Sequence, residues 1–206
     1  MQAKNLDPKQ RYTYKDYAQW PEEERYELLE GEAIAMVAPT TQHQRIVGEL
    51  FAQIHTHLRD KPCEAFVAPF DIRLPKPGVA DDDIATVLQP DISVICDPGK
   101  IDAKGCRGAP DWVIEVLSPS TASKDLIRKL RLYAAFGVRE YWAVHPADRL
   151  VYVWELKPDQ HLYEHYRVVE TVGELPSVTL PELAICWEPL FPPLEVKEGP
   201  AIYTRL

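Results

Sequence analysis

The stretch PDWVIEVLSPSTASKDLIRKLRLYAAFG, residues 110–137, predicts a strand, a short turn and a helix. Each of the two elements carries one charged residue in apolar surroundings: Glu115 in the strand and Lys129 in the helix. A charge that is buried without a partner costs on the order of several kcal/mol. The groups that compensate these two charges therefore indicate what kind of site this protein has.

Two acids lie on neighbouring predicted strands. Because side chains alternate along a strand, Glu115 shares a face with Val113 and Leu117, and this face is predicted to be covered. The alternative for Glu115 is an exposed place at the margin of the sheet. Asp91 follows Pro90 at the start of the apolar segment DISVI, where an Asp either terminates strand pairing or belongs to a site.

The helix places its lysine on an apolar face. At 100° per residue, Lys129 and Asp125 fall within an apolar arc that runs from Leu132 round to Ile127. Three basic residues fall outside this arc: Lys124, Arg128 and Arg131. A lysine in an apolar arc needs an anionic partner. That partner is either Asp125, in a pair worth roughly a few tenths of a kcal/mol, or a carboxylate cluster or substrate phosphate at the edge of the sheet.

An Asp on one strand, a Glu on the next and a Lys on the following helix can converge at one place. Two carboxylates and a backbone carbonyl are hard oxygen ligands, which suit Mg²⁺ or Mn²⁺. A cation held there would offset the acids and polarise a phosphate, while the lysine would orient a water or stabilise developing charge. This arrangement compensates both Glu115 and Lys129.

Five blocks of the sequence carry a family resemblance: YELLEGE (26–32), TTQHQRIVGEL (40–50), LQPDISVICD (88–97), DWVIEVLSPST (111–121) and KDLIRKLRLYAAFGVREYWAVHP (124–146). Together they resemble the Uma-two family of bacterial endonucleases, which belongs to the PD-(D/E)XK, restriction-endonuclease-like superfamily. The resemblance extends over roughly residues 14–190. It implies a Mg²⁺-dependent endonuclease that hydrolyses phosphodiester bonds in DNA. The alternative is a catalytically inactive interaction module with the same fold.

The resemblance also implies a set of site residues. Asp91 and Glu115 are the implied metal-binding acids, with the Val116 carbonyl as a third ligand. The superfamily pattern has a lysine two residues after the Glu, where this chain has Leu117. The resembled family supplies its lysine from the following helix, which singles out Lys129, as the apolar arc does.

Four more residues are candidates for supporting roles: His43, Glu32, Asp125 and Tyr133. His43, in the first turn of a predicted helix, would contact phosphate or support the acids, or it is simply a partly buried histidine. Glu32 is either an extra acid near the metal or part of a hairpin turn. The acidic run of residues 81–83 suggests a cation site, but a solvated loop explains it better.

The order of the predicted elements is a hairpin, a helix, three strands, a helix and further strands. This order predicts an α/β, restriction-endonuclease-like fold, with a mixed sheet flanked by helices and β-hairpin additions at both termini. With 206 residues, we predict one domain over 1–206. Residues 1–20 are predicted to form an arm with one short helix, and residues 171–206 an irregular C-terminal wrap.

Charge and composition limit the partners. A net charge of −9 opposes long-range attraction to DNA, so the predicted nucleic-acid contacts are the basic residues of the helix, Lys124, Arg128 and Arg131. Neither a membrane span nor a signal peptide is recognisable, which predicts a cytoplasmic protein that binds no membrane.

The four cysteines are expected as free thiols, with a disulfide left open. A homodimer through the aromatic strands near Trp154 is a further expectation.

Overall fold

The computed structural model describes residues 6–21, 24–118 and 122–191. Its α-helices are α1 Tyr14–Tyr17, α2 Thr41–Leu58 and α3 Leu130–Phe136. Its strands are β1 Tyr26–Leu29, β2 Glu32–Ala35, β3 Glu64–Val67, β4 Ile72–Arg73, β5 Val87–Leu88, β6 Ile92–Ile95, β7 Ile101–Asp102, β8 Gly105–Arg107, β9 Trp112–Val116, β10 Glu140–His145, β11 Leu150–Glu155, β12 Tyr166–Glu170, β13 Glu174–Pro176 and β14 Ala184–Cys186.

The strands form two larger sheets and one small one. The main sheet has the order β12-β11-β10-β9-β6-β3, in which β9 and β10 are parallel and the other neighbours antiparallel. The second sheet has the order β2-β1-β5-β4-β8-β7, and β13 pairs with β14. The mixed main sheet confirms the predicted fold class.

Both faces of β9 are covered, which answers the question of where Glu115 lies. On one face, α2 and the C-terminal segment pack around the fully buried Trp112, Trp142 and Trp187. On the other face, α3 and the second sheet form a core that includes Tyr133. Glu115 points to this second core and is 4% exposed, so the alternative of an exposed sheet margin was wrong.

The N-terminal half places two elements at the site as the sequence predicts. Thr40 caps α2 by accepting a hydrogen bond from the His43 backbone N–H at 3.2 Å. The β1–β2 hairpin turns at Glu30 and Gly31, with φ angles of 52° and 85°. Two consecutive residues at positive φ make the short turn that matches the twist of paired strands. Both elements therefore confirm the sequence prediction.

The helix of the opening stretch is not uniformly α-helical. Its first part, Lys124–Lys129, is a π-helical turn that continues directly into α3. The wider turn changes the angular position of each residue, so Ile127, predicted in the apolar arc, is 50% exposed. Asp125 and Lys129 remain buried. Gly137, at φ 90°, ends α3 in the left-handed conformation.

Three local expectations need correction. Strands β7 and β8 form a hairpin within residues 98–108, in addition to the three strands predicted between the two helices. The predicted C-terminal wrap contains the β13–β14 pair, and its residues 192–206 lie outside the described part of the chain. Cys63 and Cys96 form a disulfide, whereas Cys106 and Cys186 are free. The two bonded cysteines flank the register pair Glu64–Ile95 of antiparallel strands, which their separation of 33 residues does not reveal.

The acidic run of residues 81–83 is a short 3-10 turn. Asp81 accepts hydrogen bonds from Arg73 at 2.6 Å and from Arg107 at 3.3 Å, and Lys104 lies 3.5 Å away. Cations of the protein itself therefore compensate this acid. Within the described ranges, no helix has the length and apolar character that crossing a membrane requires.

Candidate active site

Asp91 is fixed by the strand beside it and by the first turn of α2. Its Oδ2 accepts a hydrogen bond from the Val116 backbone N–H at 2.7 Å and lies 3.1 Å from His43 Nε2. Its other carboxylate oxygen makes no hydrogen bond to a described residue and is reached by solvent. Asp91 thus has one oxygen held by the protein and one oxygen open.

Glu115 is held in the same way, one strand further along. Its Oε1 accepts hydrogen bonds from Lys129 Nζ at 2.8 Å and from the Tyr133 hydroxyl at 2.7 Å. Its Oε2 lies 3.4 Å from the Asp91 backbone nitrogen, a long contact. The two acids therefore lie side by side, Asp91 with one open oxygen and Glu115 with one weakly engaged oxygen.

Lys129 is surrounded by carboxylates. Its Nζ lies 2.7 Å from Glu27 Oε1, 2.8 Å from Glu115 Oε1 and 3.5 Å from Asp125 Oδ1. The structure thus includes both partners considered from the sequence and adds a third. Burial alone would lower the pKa of Lys129, but the charges of Glu115 and Glu27 outweigh it, so the pKa lies well above its usual value. The amine therefore stays protonated.

Glu27 is the residue that sequence reasoning missed. It is fully buried on β1 and also accepts hydrogen bonds from Lys124 Nζ at 2.9 Å and from the Gln89 backbone N–H at 3.0 Å. Burial would raise the pKa of Glu27, but the charges of Lys129 and Lys124 hold it below its usual value. The signal was present: Glu27 stands among the apolar residues of β1 much as Glu115 stands among those of β9.

Burial dominates the electrostatics of Glu115. It raises the pKa of Glu115 to about 8, against the attraction of Lys129, and the charges of Asp125 and Asp91 add to the rise. His43 shows the opposite balance. Burial would lower the pKa of His43, but the hydrogen bond to Asp91 and the charge of Asp91 raise it above its usual value. With its raised pKa, Glu115 tends to keep a proton, and a cation bound beside it would favour the ionised form.

The other predicted residues lie around this centre or on the surface. Lys124 is directed inward to Glu27, with 17% of its side chain exposed. Arg128 forms an exposed ion pair with Glu32 at 2.7 Å. Glu32 therefore pairs with a surface arginine and is not grouped with Asp91 and Glu115. Arg131 is exposed. The structure thus brings together Asp91, Glu115, Lys129, His43, Asp125 and Tyr133.

A cavity of about 370 Å³ opens at the acids, lined by Asp91, Glu115, Val116 and Lys129 and walled by residues 34–40. The carboxylates of Asp91 and Glu115 are the oxygen donors that line this cavity. This set of hard oxygens fits Mg²⁺ or Mn²⁺, provided that water or a substrate phosphate completes the coordination. Among the described residues, no three His, Cys, Asp or Glu side chains are grouped so that they could hold a metal ion by themselves.

Comparisons with known proteins place this chain in a family. The crystal structure of "a putative nuclease belonging to DUF820" from Anabaena variabilis superposes with a TM-score of 0.68, at 24% identity, over 87% of this chain and 97% of that chain. The chain belongs to the Uma2 family, described as "Putative restriction endonuclease", whose model matches residues 14–188. The resemblance recognised in the five sequence blocks is thereby confirmed.

A curated relative extends the comparison without adding a function. "Uncharacterized protein slr1290" from Synechocystis sp. is 32% identical over 121 residues, or 58% of this chain. The matched region spans 60% of that relative's length. What the whole relative does therefore gives no assignment for this chain.

Proposed function

We propose that this protein is an endonuclease that hydrolyses phosphodiester bonds in DNA and depends on a divalent cation. One observation carries the proposal: a protonated lysine, Lys129, donates to a carboxylate, Glu115, that lies beside the second acid, Asp91, in an open cavity. Membership of the Uma2 family supports the nuclease class.

Asp91, Glu115 and the Val116 carbonyl are the residues that would hold Mg²⁺ or Mn²⁺. When bound, such a cation supplies charge neutralisation and Lewis-acid polarisation of a phosphate oxygen. His43 and the Val116 N–H orient Asp91 through Oδ2, which leaves its other oxygen without a hydrogen bond to a described residue. The rotation of both carboxylates is therefore restricted before any ligand arrives.

Lys129 acts in this proposal as a fixed positive charge. Because its pKa is raised by the surrounding carboxylates, it donates hydrogen bonds and does not serve as a base. Its ammonium would stabilise the negative charge that develops on the phosphate oxygens in the transition state. Tyr133 holds Glu115 from the same side, and Glu27 and Asp125 keep the amine in place.

Cleavage of a supercoiled plasmid tests the proposal. We expect wild-type protein to nick the plasmid with Mg²⁺ or Mn²⁺ and to stop when EDTA is added. Asp91→Asn keeps the shape of the side chain and should lower the rate at least about 100-fold. Asp148→Asn, at an exposed acid outside the cavity, is the control and should cleave like wild type.

A wild-type protein that leaves the plasmid intact with both metals would contradict the proposal and favour a non-catalytic interaction module. Cleavage that persists unchanged in EDTA or in Asp91→Asn would also contradict it. The Leu117 in place of the superfamily lysine is the feature that makes this inactive alternative worth testing.

A further inference from the structure

A second cavity, of about 610 Å³, lies beside the candidate active site. The two cavities share Arg25 and Gln89 in their walls, and Gln89 precedes Asp91 by two positions. Four aromatic side chains line the second cavity: Tyr14, Tyr17, Trp20 and Phe70. The proposed chemistry at the acids makes no use of it, so we call it the aromatic cavity.

Phe70 offers the aromatic cavity a stacking surface. One side of its ring is stacked on Phe66, with the ring centroids 4.1 Å apart and the planes inclined by 7°. Phe70 is only partly buried and belongs to the cavity wall. Stacking on such rings is how proteins bind unpaired bases, and each base contributes roughly 5- to 150-fold in affinity.

Asp71 offers a fixed hydrogen-bond acceptor. Its Oδ1 accepts hydrogen bonds from the Tyr17 hydroxyl and from Gln89 Nε2, both at 2.8 Å. The amide oxygen of Gln89 in turn accepts from Arg25 at 2.8 Å, which fixes the amide orientation. Asp71 Oδ2 makes no hydrogen bond to the described residues and is reached by solvent. This oxygen can accept from an N–H donor of a ligand.

The charges of the aromatic cavity disfavour a phosphate. Three acids line it, Glu24, Asp71 and Asp102, against two bases, Arg25 and Lys104. A wall without an excess of positive charge does not attract an anion. An uncharged aromatic ligand that carries N–H donors fits both the rings and the open carboxylate oxygen.

We propose that the aromatic cavity binds one unpaired nucleobase of the DNA strand, stacked on Phe70 and donating an exocyclic amino group to Asp71 Oδ2. This inference rests on the proposed nuclease function, because the shared wall would place the base next to the phosphate at Asp91. Thymine lacks an exocyclic amino group and cytosine has one. The protein therefore prefers cytosine to thymine and prefers strands whose bases are already unpaired.

Fluorescence anisotropy in EDTA tests this without cleavage, with short fluorescein-labelled single-stranded tracts of deoxycytidine or deoxythymidine. We expect wild type to bind the deoxycytidine tract at least about 5-fold more tightly. Asp71→Asn should abolish this preference. Phe70→Leu should lower the affinity for both tracts about 5-fold or more. The controls Asp148→Asn and Tyr166→Leu change an exposed acid and an exposed aromatic outside the cavity, and should bind like wild type.

Equal affinity of wild type for the two tracts would overturn the proposal without recourse to any variant. A cytosine preference that survives in folded Asp71→Asn would overturn the role of that carboxylate. Plasmid cleavage with Mg²⁺, measured on the same wild-type preparation, tests the nuclease function separately from base binding in the aromatic cavity. Cleavage without a base preference contradicts only the proposal that the aromatic cavity binds a base. A base preference without cleavage contradicts only the proposed nuclease function.

Discussion

At the scale of the residue, Lys129 is the cation that three buried carboxylates share. Its side chain is 3% exposed and its amine is shared by Glu27, Glu115 and Asp125. Replacing it with Met leaves buried carboxylates without their cation, which typically costs about 3–5 kcal/mol. We expect Lys129→Met to lower the free energy of unfolding by that amount in urea titrations, and to abolish plasmid cleavage.

The exposed pair of Arg128 and Glu32 supplies the matched control. Its two side chains are 42% and 37% exposed, and such pairs contribute about 0–1 kcal/mol. Arg128→Met removes the same charge from the same helical segment, so it should change the unfolding free energy by no more than that. If Lys129→Met lowered the free energy of unfolding as little as Arg128→Met does, Lys129 would not be the cation that stabilises the buried carboxylates.

Glu27 predicts a pH effect. Because its pKa in the folded protein is lowered by Lys129 and Lys124, its ionised form stabilises the fold above the unfolded value near 4.5. That contribution is lost as the pH falls through and below this value. We expect Glu27→Gln to be less stable than wild type at pH 7, and the difference to shrink in urea titrations towards pH 3.5. A difference independent of pH would refute this account.

Residue-level prediction worked where a charge interrupts an apolar pattern. That pattern singled out Glu115 and Lys129, and the structure joins them at 2.8 Å. Their catalytic roles stay predictions. Glu27 interrupts a strand of only four residues, and nothing in the sequence says that β1 lies against the helix carrying Lys129. Glu27 and Lys129 are about 100 positions apart, and their contact depends on tertiary structure, which local sequence patterns do not reveal.

At the scale of the element, the disulfide ties the start of β3 to the end of β6, the strand that follows Asp91. A bond across 33 residues typically stabilises a fold by about 4 kcal/mol, because it restricts the unfolded chain. We expect dithiothreitol to lower the melting temperature of the oxidised protein. The Cys63→Ser/Cys96→Ser variant should melt at the temperature of the reduced wild type, with or without reductant.

Cys186 provides the control for that experiment, since it is a free cysteine at the end of β14, in the small sheet. Cys186→Ser should keep the full response to dithiothreitol. A wild-type melting temperature that does not respond to the reductant would show that the two cysteines are not bonded in the purified protein.

Elements were predictable in proportion to their length and regularity. The α2 helix has 18 residues, a capping Thr40 and a regular apolar face, and the predicted helix with His43 in its first turn is present. The β7–β8 hairpin was missed because strands of two and three residues are too short to show a period. The π-helical turn was missed because a wheel at 100° per residue assumes α-helical geometry throughout.

At the scale of the whole molecule, a net charge of −9 must be reconciled with DNA as the substrate. Lys124 is already paired with buried Glu27, which leaves Arg128 and Arg131 as the more exposed cations of this segment. Each phosphate contact adds about 0.9 to the slope of log affinity against log salt. We expect Arg128→Ala/Arg131→Ala to reduce the slope by about 2 in anisotropy titrations. An unchanged slope would place DNA on another surface.

The central claim is that Asp91 and Glu115 together hold one divalent cation. The most direct test is isothermal titration of Mn²⁺ into wild type, Asp91→Asn and the control Asp148→Asn, whose acid is exposed and outside the cavity. We expect wild type and the control to bind one Mn²⁺ per chain and Asp91→Asn to bind at least about 10-fold more weakly, because a charged oxygen ligand is lost. Equal Mn²⁺ affinity in wild type and Asp91→Asn, or no binding by wild type, would contradict the claim.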